Sequence, residues 1–317
     1  MLILLLLQLG VPLLMLLSLA LVRPSSRMGL ALKVIATGAW LLAIGLTGLW
    51  TILPWWTPRA LGVVLAVITI RRLATFRRLP AMPARVDTRV GAVASLVVAL
   101  AALLQSAAAI RGRSEPPGLV ADIANPLRQG TLLVVNGGSN GSVNAHVQML
   151  WADTERYRPW RGQSHGVDLI RIGTSGFRAR GLRPADPSAY LGFGSAVLAP
   201  CTGSIMHAVD GVADNIVPQT DREQMAGNYV IVRCEEFDVV LAHLRRGSVT
   251  VSSGGHVTAG HPIGELGNSG NSDEPHLHIH AQRGTPPNAP FSAEPVPLRI
   301  DGRFPVRNQR LTGRFGQ

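Results

Sequence analysis

Long apolar segments in the first third of the sequence constrain its fold more than any other feature. Residues 1–22 are almost unbroken in apolar character, and further apolar runs cover about 32–53, 54–70 and 90–110. A helix of about 20 apolar residues crosses the roughly 30 Å hydrocarbon core of a bilayer. We therefore predict a bundle of about four transmembrane helices within residues 1–111, of which the helix at 54–70 is the least certain to span.

Basic residues are distributed unevenly among the connections between these segments. The first connection is flanked by Arg23, Arg27 and Lys33, and the connection before the fourth segment carries Arg71, Arg72, Arg77, Arg78, Arg85 and Arg89. The connection between the second and third segments carries only Arg59. Because excess Lys and Arg marks the cytoplasmic side, four spans would place both termini outside. If the third segment does not cross, the C-terminal domain would instead be cytoplasmic.

The remaining two thirds of the chain has the composition of a polar β domain. After a linker at 112–129, short runs rich in Val, Ile and Leu alternate with Gly, Pro, Asn and Asp. This spacing predicts an all-β domain of antiparallel sheet over 130–317, with long loops at 174–192 and 210–227. The net charge of +11 suits contact with anionic lipid. The sequence lacks the mixture of aromatic and basic residues that is typical of nucleic-acid binding. Two cysteines, Cys201 and Cys234, would form one disulfide if the fold brings them together.

Histidines at alternate positions mark the candidate site. The segment PHLHIH contains His276, His278 and His280, which would share one face of a strand at a spacing of about 7 Å. One metal ion cannot easily take two neighbours of such a row, so one ligates while another lies beside the metal. Upstream, GQSHGVD offers His165 and Asp168, and LAHL offers His243 between apolar residues.

Five ordered motifs, GQSHGVD, GSAVLAPCTGSI, AGNYVIV, LAHL and GNSGNSDEPHLHIH, together resemble the lysostaphin and LytM type of zinc peptidase over 162–283. That family has a "duplicated hybrid motif" β fold and cuts peptide cross-bridges in bacterial cell walls. The resemblance implies one zinc ion, peptidoglycan peptide as substrate, and a β domain outside a bacterial cytoplasmic membrane, with lipid contacts through the helices and a possible envelope partner. It implies the ligands His165, Asp168 and His278 and the catalytic histidines His243 and His276, whereas His280 would not be a ligand.

The first ligand departs from the family pattern H-x-x-x-D. The position four before Asp168 is Ser164, and His165 is only three before it. An offset of three on a strand places side chains on opposite faces, and a serine hydroxyl is a poor zinc ligand. Three interpretations follow: His165 reaches the metal from a turn or bulge, another residue such as His280 or a loop residue helps Asp168 and His278, or the site has lost its metal.

Two functions from different classes therefore stand side by side. The first is a membrane-anchored zinc endopeptidase acting on peptidoglycan cross-link peptides. The second is a catalytically inactive module that binds wall peptide or regulates a partner hydrolase. The loop NGGSNGSVNAH at 136–146 is read as a turn that could wall a substrate groove, with His146 nearby.

Overall fold

The computed structural model describes residues 2–128, 130–151 and 153–312. These residues form two compact units: residues up to Leu49 together with Trp55–Arg111 make the first, and Trp50–Pro54 with the residues from Gly112 onward make the second. The predicted order, apolar helices followed by an antiparallel-sheet domain, is confirmed. The domain boundaries remain predictions, and part of the expected linker forms a short strand.

Among its described residues, the regular structure of the first unit is helical. A continuous N-terminal helix consists of α1 (Leu2–Leu5), a π-helical turn (Leu6–Gly10) and α2 (Val11–Leu21). It is followed by α3 (Arg27–Thr47), α4 (Thr57–Phe76) and α5 (Val86–Arg111). The helix α3 begins where the Ser26 side chain accepts a hydrogen bond from the Gly29 amide, a standard N-cap.

In the described part of the chain, three helices are long and apolar enough to cross a membrane, compared with the four expected. They are Ile3–Leu21, Arg27–Thr47 and Val86–Arg111. The segment predicted at 54–70 does form the helix α4. Any stretch of α4 long enough to cross a membrane, however, contains Arg59, Arg71 and Arg72. These three charges distinguish α4 from the other three helices.

Small side chains allow α3 and α5 to approach closely. Ala39 and Ala43 of α3 pack with Ala102 of α5 in one buried cluster. Small residues at a helix interface let backbones come near each other, which is the usual basis of helix association in membranes. The packing is therefore consistent with helices that associate within lipid.

The second unit is built on a nine-stranded sheet. The strands of this unit are β1 (Ala121–Ile123), β2 (Thr131–Asn136), β3 (Val167–Ile172), β4 (Ala196–Leu198), β5 (Gly203–Val209), β6 (Asn228–Cys234), β7 (Phe237–Leu244), β8 (His256–Val257), β9 (Pro262–Glu265), β10 (Leu277–Arg283), β11 (Glu294–Val296), β12 (Leu298–Ile300) and β13 (Arg310–Thr312).

Eight strands of the large sheet follow the order β13-β2-β3-β10-β7-β6-β5-β8, and β11 pairs with the part of β10 that β3 does not reach. Smaller pairs are formed by β1 with β12 and by β4 with β9.

The two faces of this sheet have different roles. Along β10, Leu277, Ile279 and Ala281 are fully buried in the main apolar core. Because strand side chains alternate, His278 and His280 point to the opposite face. That second face is the floor of a cleft, so the apolar core fixes the strand that presents the histidines.

Cys201 and Cys234 form a disulfide, with their Cα atoms 5.9 Å apart. The bridge joins the segment before β5 to the end of β6 and packs against the main core. Disulfides persist in oxidising compartments such as the bacterial periplasm and cell surface. The sequence left this pairing open.

Candidate metal centre

The register of β3 and β10 places the first two candidate ligands side by side. His278 is the direct cross-strand partner of Asp168, and directly opposed residues project their side chains to the same face. His278 Nδ1 lies 2.9 Å from Asp168 Oδ1, and both residues are buried. The carboxylate and imidazole predicted from separate motifs therefore meet at one point of the cleft floor.

His146 completes this group from a different part of the chain. It lies in the 3₁₀ helix Ala145–Leu150, and its Nε2 is 3.2 Å from Asp168 Oδ1 and 3.1 Å from Oδ2. Asn144 caps that helix by accepting a hydrogen bond from the His146 amide. The same Asn144 side chain donates to the carbonyls of Gly138 and Gly166, each at 3.0 Å. The asparagine- and glycine-rich loop thus holds His146 against the start of β3.

His146, Asp168 and His278 offer one ligand atom each, all within 4.8 Å of one another. Ligand atoms of a tetrahedral zinc ion at about 2.0–2.1 Å are separated by about 3.3 Å, close to the distances of 2.9–3.2 Å that join each histidine to Asp168. Two imidazoles and one carboxylate are also a donor set used by catalytic zinc sites that keep one position open. The group fits one metal ion in both chemistry and spacing.

A hydrogen-bond network orients Asp168. Asn136 Nδ2 donates to Asp168 Oδ2 at 2.7 Å, and Arg307 donates to Asn136 Oδ1, which fixes the orientation of the carboxamide. Burial favours a raised pKa for Asp168, but the charges of His146 and His276 and the hydrogen bonds from His146 and His278 hold that pKa well below its usual value. Asp168 is therefore ionised and available as a ligand at neutral pH.

His243 reaches the cleft through a backbone irregularity. The β6–β7 register shifts between Asn228 and Tyr229, and His243 adopts a left-handed φ of 63°. A bulge of this kind re-aims one side chain and is a cost that native folds accept at functional sites. The His243 ring centroid lies 4.8 Å from that of His276 and 5.9 Å from that of His278.

Backbone carbonyls of one loop fix the tautomers of His243 and His276. His243 Nδ1 lies 2.8 Å from the Ser269 carbonyl, and His276 Nδ1 lies 2.8 Å from the Glu274 carbonyl. A carbonyl oxygen only accepts, so each Nδ1 carries the proton and each Nε2 is free to face the cleft. Burial is the main reason that the pKa of His243 lies well below its usual value, and the nearby His276 and His278 lower it further.

The structure does not bring His165 into the group of ligand atoms. His165 ends the 3₁₀ helix Glu155–His165, and β3 begins only at Val167, so strand alternation does not extend back to it. Burial lowers the pKa of His165, and its Nδ1 has no hydrogen-bond partner among the described residues. Ser164, at the family's histidine position, is buried and donates to the Arg161 carbonyl instead.

The remaining space of the site is a cleft of about 270 Å³. Large apolar side chains line one part of it, namely Met149, Trp160, Met225, Val240 and Phe291. Trp160 and Phe291 stack with their ring centroids 5.1 Å apart. Polar lining comes from Gln148, Gln163, Asn271 and Asp273. The cleft can thus hold a peptide segment across the metal group and the two catalytic candidates.

The long loops predicted at 174–192 and 210–227 are bound to the histidine-bearing loop by polar contacts. Arg178, with 2% side-chain exposure, makes two hydrogen bonds of 2.6 Å to Glu274. Asn215 donates to the carbonyls of Asn268, Gly270 and Ser272. Both loops therefore support the segment that carries His276.

Sequence reasoning missed the position of His146 and the part played by Asn136. Both lie in the loop that the sequence presents as a turn, and neither belongs to a periodic pattern. One signal was present: the family's first histidine is missing at Ser164, and a histidine stands upstream in a loop rich in Gly and Asn. When a motif lacks one of its ligands, a histidine in such a loop is a candidate to replace it.

One protein-family model matches part of the chain. Residues 191–290 match the model of Peptidase family M23, a region that includes His243, His276 and His278 but begins after His146 and Asp168. The predicted resemblance to LytM-type peptidases is confirmed. No curated protein matches the sequence.

Several solved structures are similar to parts of the chain. The catalytic domain of the antimicrobial peptidase lysostaphin from Staphylococcus simulans is 20% identical, with 40% of this chain and 74% of that chain covered and a TM-score of 0.26. A zinc containing peptidase from Vibrio cholerae is 20% identical, covering 37% and 26%, with a TM-score of 0.23. A putative peptidase M23 from Pseudomonas aeruginosa is 15% identical, covering 59% and 54%, with a TM-score of 0.29.

Proposed function

We propose that this protein is a membrane-anchored, zinc-dependent endopeptidase that cuts peptide cross-links of peptidoglycan. The observation that carries the proposal is the group His146, Asp168 and His278 beside the paired rings of His243 and His276 in one cleft. The ligand set proposed here has His146 in the place expected for His165. A peptide substrate is supported by the M23 match and by the mixed apolar and polar lining of the cleft.

Each proposed role follows from the chemistry of the residue. When bound, zinc supplies positive charge that polarises the scissile carbonyl and lowers the pKa of water. His243, neutral because burial lowers its pKa, presents Nε2 as a proton acceptor. His276 Nε2 lies 3.7 Å from Asp168 Oδ1, next to the ligand group. Because its own proton is on Nδ1, His276 can donate from Nε2 to developing negative charge or to the leaving amine only after Nε2 has taken up a proton.

The β domain is proposed to lie outside the cytoplasmic membrane. The Cys201–Cys234 disulfide supports this location, since cytosolic thiols are generally kept reduced. With the basic loops inside, an external β domain requires α4 to cross as well. The helix α4 has 20 residues and is therefore about 30 Å long, with Arg59 near one end and Arg71 and Arg72 near the other. Long arginine side chains near helix ends can reach the interface.

The inactive-module alternative was motivated by the missing histidine four residues before Asp168. His146 supplies an imidazole at that carboxylate from another part of the chain, so three candidate ligands are present without His165. Catalysis is therefore favoured over binding alone.

Digestion of purified peptidoglycan by the full chain in detergent, with zinc added, tests the proposed function. We expect new peptide termini in the soluble products by mass spectrometry, and their loss in His278→Ala and His276→Ala. The exposed His256 gives a matched control, and His256→Ala is expected to cut normally. If the parent binds peptidoglycan but releases no peptide with zinc bound, the inactive-module alternative is correct.

A further inference from the structure

A single charged side chain lines a cavity in the first unit. The cavity has a volume of about 300 Å³ and lies between α2, α3 and α5. Most of its lining is apolar, and the polar side chains in it belong to Ser18, Lys33, Thr37 and Ser95. Leu14 also lines the cavity and is 68% exposed, so the cavity opens on the surface of the helical unit.

Two of these polar groups are satisfied within their own helices. Thr37 Oγ1 donates to the Lys33 carbonyl and Ser95 Oγ donates to the Gly91 carbonyl, each at 2.8 Å. A hydroxyl in a helix commonly donates in this way to the carbonyl four residues earlier. The ammonium of Lys33 and the hydroxyl of Ser18 are therefore the polar groups that remain to face the cavity.

The first unit has no carboxylate that could neutralise Lys33. Lys33 Nζ lies 3.5 Å from Ser18 Oγ, longer than a normal N–H···O bond, and an ammonium group carries three donors. Asp87 is the single acidic residue in the sequence from 1 to 111, and it pairs with Arg85 at 3.2 Å. A charge within a membrane-spanning helix is costly unless it is paired. The anion for Lys33 must therefore come from outside these helices.

Neighbouring cations in the first unit have a different use. Arg72 donates to three carbonyls at the end of α2, and Arg27 donates to two carbonyls in the connection after α4. Basic side chains commonly satisfy the last carbonyls of a helix in this way. Lys33 makes no such backbone bond among the described residues, and its ammonium lies between the helices instead.

The depth of Lys33 suits a lipid headgroup. Six residues separate Lys33 from Arg27 at the start of α3, which is about 9 Å along the helix axis. In the proposed topology this end is cytoplasmic, and a long lysine side chain can reach towards the interface. Val98, twelve residues after the start of α5, lies about 18 Å along that helix. The cavity thus joins a cation near the membrane surface to apolar walls at greater depth.

We propose that this cavity binds one anionic phospholipid of the cytoplasmic leaflet, with the phosphate at Lys33 and Ser18 and an acyl chain against α2 and α5. An ammonium and a hydroxyl both donate hydrogen bonds, and phosphate oxygens accept them. Basic pockets between membrane helices on the cytoplasmic side recognise anionic headgroups by the same chemistry. The site lies within the helices and does not depend on the proposed zinc function.

Native mass spectrometry of the full chain, released from detergent, tests this site. The chain is titrated with phosphatidylglycerol, which is anionic, or with zwitterionic phosphatidylcholine of the same acyl chains. We expect the parent to bind one phosphatidylglycerol at least about fivefold more tightly than phosphatidylcholine, the effect of one basic residue near anionic lipid. Lys33→Met should remove this preference, and Lys33→Arg should retain it.

Two pairs of variants separate the cavity from the general basic character of the helices. Arg85→Met removes one charge from the same side of the membrane, at a side chain that is 82% exposed, and should keep the preference. Ala94 lines the cavity, so Ala94→Leu should narrow it and weaken binding of both lipids. Val97→Leu, at an exposed position of the same helix outside the cavity, should bind both lipids like the parent.

Equal affinity for phosphatidylglycerol in the parent and in Lys33→Met would overturn the proposal, as would a parent that binds both lipids equally. Displacement of the lipid by inorganic phosphate would also overturn it, because a free anion would then satisfy the site. A dimer that Ala94→Leu dissociates, without any lipid preference, would assign the cavity to a second copy of the chain. If Lys33→Met does not fold, the lipid preference of the parent and Ala94→Leu decide. Zinc content should be equal in all these variants, so a failure of the zinc function would leave this site standing.

Discussion

His146 Nε2 lies 3.1 Å from Asp168 Oδ2, although 22 positions separate the two residues in the sequence. Asn144 brings them together by capping the 3₁₀ helix of His146 and donating to the carbonyl of Gly166, two residues before Asp168. In the proposed ligand set, the imidazole that a sequence motif would place next to Asp168 thus comes from a separate loop. The carboxylate and its strand stay as expected, and only the origin of one imidazole differs.

Gly166 is expected to be intolerant of a side chain. A Cβ there would lie 2.7 Å from His278 Cε1, closer than Cβ atoms approach other side chains, and 3.3 Å from His146 Cδ2, a contact that requires a small shift of that ring. We expect Gly166→Ala to displace both rings and to reduce zinc affinity at least tenfold, the scale of a lost supporting contact. Chelator competition measures this loss. Gly141→Ala is the control, because a Cβ at Gly141 meets nothing within 4 Å; equal losses in both variants would contradict the packing argument.

The buried ion pair of Arg178 and Glu274 should contribute to stability in a way that depends on both partners. Arg178→Met is expected to lower the free energy of unfolding by up to about 3–5 kcal/mol, because Glu274 then keeps only the 3.1 Å contact with the partly exposed Arg183. The double variant with Glu274→Met should lose less than the single variant, since it also removes the carboxylate that Arg178 neutralised. Urea unfolding of the full chain in detergent, with chelator present, compares these variants.

Arg283 provides the surface control for that ion pair. Its partner Glu294 is 59% exposed, and its own side chain is 53% exposed. Exposed pairs contribute about 0–1 kcal/mol, so Arg283→Met should change the free energy of unfolding by no more than that. A larger loss for Arg283→Met than for Arg178→Met would refute the assignment.

Acid should destabilise the metal-free protein through its buried histidines. Burial lowers the pKa of His243, His278 and His280 below the usual 6.5. Below about pH 6.5 the unfolded chain therefore binds protons that the folded chain does not, so the free energy of unfolding falls as pH falls. The pKa of Asp168 is held well below 3.8, so its contribution is retained throughout this window.

Thermal unfolding in chelator at pH 8, 7, 6 and 5 tests this dependence. We expect a constant midpoint from pH 8 to 7 and a decreasing one below about 6.5. His280→Asn should show a shallower decrease, because one of the three buried rings is gone. A midpoint that is the same at pH 8 and pH 5 would show that these rings do not oppose protonation in the folded state.

The proposed membrane topology predicts opposite labelling of two engineered cysteines in intact cells. Met82 lies in the connection between α4 and α5, and Ser252 lies in an exposed turn of the β domain. A membrane-impermeant maleimide should label Ser252→Cys and leave Met82→Cys unlabelled until the membrane is opened. The native cysteines are joined in a disulfide and should not react. The reverse pattern would place the β domain in the cytoplasm and show that α4 does not cross.

Periodic patterns made much of the fold predictable from the sequence. Alternation along PHLHIH correctly predicts that His278 and His280 share one strand face, and Leu277 and Ile279 are buried on the other. The apolar runs predict α3 and α5 because hydrophobicity and length alone decide whether a helix can span a bilayer. The helix α4 was harder to judge, since its apolar stretch between Arg59 and Arg71 is short.

Contacts without periodicity could not be predicted. The approach of His146 to Asp168 depends on a loop held by Asn144, and no repeat of period two or 3.6 marks such a loop. The bulge at His243 likewise depends on pairing between β6 and β7, which is a long-range property. The family resemblance implied His165 as a ligand despite its offset of three from Asp168, but the 3₁₀ helix ends at His165 and the strand starts after it.

The zinc content of the purified full chain tests the central claim most directly. Elemental analysis would compare the parent with His146→Ala, His165→Ala and His278→Ala after dialysis against equal zinc. We expect about one zinc per chain in the parent and in His165→Ala, and a loss of zinc in His146→Ala and His278→Ala, as three-ligand sites require. Zinc retained in His146→Ala but lost in His165→Ala would contradict the ligand set proposed for this site.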